Sequence, residues 1–139
     1  MKHLLLILAC FCLHQIGFSQ VGINTASPLS MLDINGNLSV KTVTLTGSSS
    51  PTIISDGVYI SVNPQATDQE FQLPSAVAFP GRIYIIRNIQ NSITAKLTSA
   101  GGMFFAKNTT AGFPQVYMYE NNSRSIIVVS DGTNWTYFN

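Results

Sequence analysis

Beyond Gln20 the chain contains neither cysteine nor histidine, because Cys10, Cys12, His3 and His14 all lie in its first segment. That absence removes disulfides, thiol nucleophiles, the imidazole base and the commonest transition-metal ligands from everything that follows. Charge is also scarce: only 9% of residues are Asp, Glu, Lys or Arg. Past residue 20, Lys41, Arg82, Arg87, Lys96, Lys107 and Arg124 balance Asp33, Asp56, Asp68, Glu70, Glu120 and Asp131. Such a chain has no basic stripe for nucleic acid and no polybasic or amphipathic helix for a membrane surface. A surface with net charge near zero favours self-association. No apolar run reaches the roughly 20 residues that a spanning helix takes.

What the first residues do contain is a secretory signal. Lys2 and His3 form a short basic region, Leu4 to Leu13 an apolar one, and Gly17 and Ser19 place small residues before Gln20. Cleavage between Ser19 and Gln20 makes residues 1–19 the signal peptide and the protein exported, to the extracellular space or cell surface, with the periplasm as the alternative. A competing reading treats Ile7-Leu8-Ala9-Cys10 as a lipid-attachment box. It leaves only Leu4–Ala9 as an apolar stretch and a still hydrophobic segment after the cysteine. Cleavage at Ser19 leaves about 120 residues, enough for one domain whose core is held by packing alone.

That remainder shows no helical periodicity. Short β-branched and aromatic runs alternate with Gly-, Pro-, Asn- and Ser-rich turns, the pattern of an all-β fold. The expected strands include 58–62, 70–73, 82–89, 93–98, 115–119, 124–130 and 134–138. Ser130-Asp131-Gly132-Thr133-Asn134 reads as a tight hairpin, and Ser55-Asp56-Gly57 reads as another. Alternation puts Val43 with Leu45, Val58 with Ile60 and Val62, and Phe71 with Leu73 on core-facing sides. Some strands are apolar on both faces: Ile83, Ile85 and Ile89 oppose Tyr84 and Ile86, while Ile127 and Val129 oppose Ile126 and Val128. A two-layer sandwich buries one face of each sheet. The other apolar face then needs a roof, either a loop such as 74–81 or another subunit, and so small a chain can spare little loop mass.

Few residues offer chemistry. Catalysis without His or Cys would rest on paired carboxylates. Asp68 and Glu70 stand two apart, a spacing that a solvated loop explains equally well. Asp33, Asn35 and Asn37 in LDINGN resemble half of a calcium loop but lack the closing acid, so a turn is the better reading. No catalytic, cofactor-binding or metal-binding residue is assigned, and the chain is read as a non-enzyme without a cofactor. The aromatics are the exception. Tyr117, Tyr119, Trp135 and Tyr137 alternate along two late strands and form a possible glycan-stacking set, against the plainer reading that they cap the core.

Two segments carry a resemblance. VGINTASP followed by LDINGN (Val21, Gly22, Ile23, Asn24, Thr25, Pro28, Leu32, Asp33, Ile34, Gly36) resembles the leader of secreted bacterial and phage tail-fibre-type proteins. LPSA, GRIYIIRN and SDGTNW (from Leu73, Gly81 and Ser130) look like the β-domain that accompanies it. The resemblance implies a fibrous or surface-displayed, homotrimeric, non-enzymatic protein. The chain departs from that pattern in passing straight into one small domain without a long shaft.

The combined expectation is an all-β protein. Its residues 20–38 form an extended leader with a hairpin turn, and 39–139 a single jelly-roll-like β-sandwich. Its expected role is structural or adhesive, through homotrimer assembly and a loop-presented surface that meets a glycan or surface partner. The alternative is a monomeric carbohydrate-binding module that uses the exposed aromatics.

Overall fold

The computed structural model describes residues 21–139, so the signal-peptide and lipid-attachment readings lie outside the described residues. The chain divides into two units at Ser39/Val40.

The first unit is short and tightly looped. Strand β1 (Val21–Ile23) pairs in parallel with β2 (Leu32–Ile34), Gly22 opposite Asp33. Parallel strands usually need a connection of a dozen or more residues, yet residues 24–31 suffice here. Close packing explains it: a Cβ on Gly22 would lie 2.8 Å from Pro28 Cγ and 2.6 Å from the Thr25 carbonyl oxygen. Only glycine lets the loop fold back that closely. Asn24, at φ 58°, turns the chain, and its side-chain amide donates to the Asn35 carbonyl at 3.1 Å. The Asp33 carboxylate accepts the Leu29 N–H at 2.8 Å. The expected extended leader with an Asn35-Gly36 hairpin is therefore corrected: the segment is a folded parallel loop, and the acidic group of LDINGN is taken up by the Leu29 N–H before it.

The second unit is built from eleven strands in two sheets. Strands β3 (Thr42–Thr46), β5 (Tyr59–Asn63) and β7 (Ile83–Asn88) run parallel in the larger sheet. Strands β4 (Thr52–Ile53), β6 (Gln69–Leu73) and β8 (Ala95–Ser99) run parallel in the smaller one. The chain thus alternates between sheets and advances one rung each time, as a parallel coil of two strands per turn. The remaining strands are β9 (Phe104–Ala106), β10 (Gly112–Phe113), β11 (Gln115–Met118), β12 (Ser125–Ser130) and β13 (Trp135–Phe138). They complete the sheets in the orders β10-β9-β13-β12-β7-β5-β3 and β11-β8-β6-β4.

The all-β class holds, and the inner faces of both sheets share one core that includes Ile60, Phe71, Tyr84, Leu97, Phe104 and Trp135. The jelly-roll expectation does not: five of the nine strand pairs in this unit are parallel, where a jelly roll joins antiparallel strands. The two S-D-G turns show why. Ser130–Asn134 closes the antiparallel β12–β13 hairpin, with Asp131 N–H donating to the Asn134 carbonyl at 3.0 Å. Ser55-Asp56-Gly57 instead carries the chain from one sheet to the other, between β4 and β5. Gly57 and Gly132 have nearly the same backbone twist, φ 84° and 91°, so the tripeptide fixes a local bend and leaves the partner open.

Three buried polar groups tie the layers together. Asn88 on β7 donates its side-chain amide to the Ile93 carbonyl at 2.8 Å and to the Met118 carbonyl of β11 at 2.9 Å, and its Oδ1 accepts the Gln90 N–H at 3.0 Å. Trp135 Nε1 donates to Ser99 Oγ on β8 at 2.9 Å. Ser130 Oγ donates to the Ala76 carbonyl, in a short 3-10 helix (Ala76–Ala78), at 2.8 Å.

Candidate functional site

Strand alternation gives the larger sheet an outer face that is also apolar. Ile85 on β7, Ile127 on β12 and Phe138 on β13 stand opposite one another in register, and Tyr59 on β5 continues the row. A second row runs Ile83, Val129, Thr136, Phe105. The inward partners Tyr84, Ile86, Ile126 and Val128 are buried, whereas Ile83, Ile127 and Phe138 remain 48%, 43% and 42% exposed. A polar row of Ser61, Arg87 and Ser125 borders the band. The loop roof over this face does not form, because residues 76–78 lie elsewhere, with the Ala76 N–H donating to Gly101 and the Ala76 carbonyl held by Ser130. No helix among the described residues is long and apolar enough to cross a membrane.

The four aromatics expected to stack on a ligand separate into two groups. Trp135 is fully buried, tilted against Tyr84 at 5.9 Å between ring centroids. Its indole is a core side chain satisfied by Ser99 and presents no face to a ligand, which corrects its place in the set. Tyr137, two residues on, points the same way and packs partly against the core. Tyr117 and Tyr119 lie outside: their rings stack at 6.1 Å with 28° between planes. Together with Tyr137 and Phe113 they line a depression of about 240 Å³ at the open side of the sandwich. Its polar edge comes from Gln115, Ser123 and Asn139. Gln115 Nε2 donates to the Tyr117 phenol oxygen at 2.7 Å. Gln115 was within reach of the sequence, since it shares a strand face with Tyr117. Phe113, Ser123 and Asn139 were not, because they arrive from the two-residue strand β10, a turn and another strand's end.

The two carboxylates have different surroundings. Glu70 accepts the Thr98 hydroxyl at 2.8 Å and pairs with Lys96 Nζ at 3.0 Å. Thr98 first, and Lys96 second, hold its carboxyl below the usual range. A general acid needs the opposite shift. Asp68 is exposed at φ 61° and shares a shallow, serine-lined depression with Glu70. Among the described residues, no three Asp, Glu, His or Cys side chains cluster as metal ligands.

No family model matches this chain, and no curated protein or solved structure matches it either.

Proposed function

We propose that the protein is an exported, non-enzymatic structural or adhesion-type protein whose β-domain assembles into a homotrimer through the outer face of its larger sheet. The observation that supports this most is the in-register apolar row of Ile85, Ile127 and Phe138, backed by Ile83 and Val129. Water contact with such a face is costly: covering the exposed part of each side chain contributes about 1 kcal/mol. Two-sided apolar strands in a monomer mark an interaction surface more often than an accident of composition. The near-balance of charge leaves little long-range repulsion to oppose association of like copies. Loops at the sandwich ends remain free to meet a surface partner once the faces are joined.

Native mass spectrometry and light scattering test the assembly. At micromolar concentration the protein is expected to run as a trimer, and Ile127→Lys as a monomer with an unchanged far-UV spectrum. A wild-type chain that stays monomeric at tens of micromolar, or an Ile127→Lys variant that still forms trimers, refutes this assignment of the interface.

A further inference from the structure

We infer that the aromatic depression formed by Phe113, Tyr117, Tyr119 and Tyr137 binds one neutral pyranose ring. The site borders the apolar sheet face, since Ile126 and Asn139 also line the depression over Ile85, Ile127 and Phe138, but its aromatic rings come from β10, β11 and the inward Tyr137. Its chemistry is that of a sugar subsite. Tyr119 and Phe113 are 49% and 44% exposed, which leaves ring area on which the C–H face of a pyranose can pack. Around those rings stand the amides of Gln115 and Asn139 and the hydroxyl of Ser123. Amides and hydroxyls offer both donors and acceptors, as sugar hydroxyls require. Tyr119 and Tyr137 add two phenol groups to the lining, each able to donate and to accept.

The lining also discriminates. It contains no Asp, Glu, Lys or Arg, and the Lys107 ammonium beside it is engaged by the Asn139 carbonyl at 3.0 Å, so a phosphate or carboxylate ligand meets no charged side chain within the depression and loses its hydration. That argues against nucleotides and acidic sugars and for an uncharged ring. The depression holds one ring: about 240 Å³ lies below the usual range for drug-sized ligands of about 300–1,000 Å³. Tyr117 and Tyr119 stack on each other, so the ligand does not slot between them but lies over the outer face of Tyr119. A compact pocket of this kind also suits a sugar better than a proline-rich peptide, which needs an elongated groove.

The test is an NMR titration of the isotopically labelled full chain with methyl glycosides of glucose, galactose, mannose, fucose and N-acetylglucosamine. At least one is expected to shift the resonances of Tyr117, Tyr119, Gln115 and Tyr137 with a dissociation constant of about 1 mM, the strength typical for about thirteen heavy atoms. Tyr119→Ala, at an exposed position, is expected to weaken that binding about tenfold, and Tyr119→Phe, which keeps the stacking face, about twofold. Methyl glucuronoside and hexaproline serve as charged and peptide controls and are expected to leave the spectrum unchanged. The inference is overturned by any of four results: no response to the five glycosides at 50 mM, shifts centred outside the depression, unchanged affinity in Tyr119→Ala, or binding of either control as tight as the best glycoside. Shifts that follow protein concentration instead of sugar concentration would assign the depression to a second copy, and would overturn it equally.

Discussion

Replacing Asn88 with leucine removes a polar bridge between the two sheets while keeping the branched shape of the side chain. Asn88 is fully buried on β7 and makes three hydrogen bonds, to the carbonyls of Ile93 and Met118 and from the N–H of Gln90. Each such bond contributes about 1 kcal/mol net. The Met118 backbone belongs to a buried residue, and leaving its carbonyl dry adds a desolvation penalty of about 1–2 kcal/mol. Leucine recovers part of this by burying apolar surface, about 1 kcal/mol. The expected loss is therefore about 3 kcal/mol, or a fall in midpoint of about 15 °C for a domain of this size. Urea denaturation followed by Trp135 fluorescence measures it, with the m-value expected to stay constant. Asn88→Asp sharpens the reasoning. A carboxylate facing two carbonyls has its folded pKa raised, so the folded state holds the extra proton. Stability is then greatest below the unfolded value of about 3.9 and falls as pH rises towards the folded pKa. A loss under 1 kcal/mol for leucine, or a pH-independent penalty for aspartate, would refute the claim that this amide holds the layers in place.

Two other perturbations test the local geometry. Gly57→Ala and Gly81→Ala both force a side chain to positive φ, 84° and 75°, but only at Gly57 would the Cβ meet other atoms, Val43 Cγ2 at 2.7 Å and Ile60 Cδ1 at 3.0 Å. Both are expected to lose about 1 kcal/mol of stability to strain, and Gly57→Ala about 1–2 kcal/mol more to overpacking. Equal midpoints in thermal melts would contradict that. Asp131 accepts the N–H groups of Asn134 at 2.6 Å and Thr133 at 2.7 Å, which hold its pKa below 3.8. Its stabilising contribution is thus present above pH 3.8 and lost as pH falls through the depressed value. Asp131→Asn is accordingly expected to melt earlier than wild type at pH 7, with the gap closing in acid, which paired melts at several pH values would show.

Much of the strand placement was legible because alternation is a local property. Residues 58–62 and 124–130 were expected as strands and lie at Tyr59–Asn63 and Ser125–Ser130. Ile60, Val62, Phe71 and Leu73 face the core as their spacing required. Alternation says which face a residue takes, and nothing about which strand stands beside it. Pairing is decided by corners such as 47–51 and 64–68, whose Gly, Ser and Pro residues turn equally well into a hairpin or across to another layer. The parallel coil was therefore out of reach, as was the parallel pairing of Val21–Ile23 with Leu32–Ile34. The aromatic site was half visible. Trp135 and Tyr137 were rightly grouped on one face, but whether that face met the core or the solvent depended on the smaller sheet, whose Ser99 receives the Trp135 indole N–H.

The coil in which β3, β5 and β7 climb beside β4, β6 and β8 also sets the terms on which this fold can change length. Each rung contributes one strand per layer and presents the next with the same inward and outward faces. A duplicated rung upstream of Thr42 would inherit its side-chain orientation from the rung beneath it, and no existing core residue would need to turn. The spacings of 17 residues from Thr42 to Tyr59 and 26 from Tyr59 to Ile85 show that the corners already tolerate different lengths within one register. Elongation or shortening in whole storeys is thus open to this architecture, whereas a one-residue change inside a strand would turn every later side chain on it inside out.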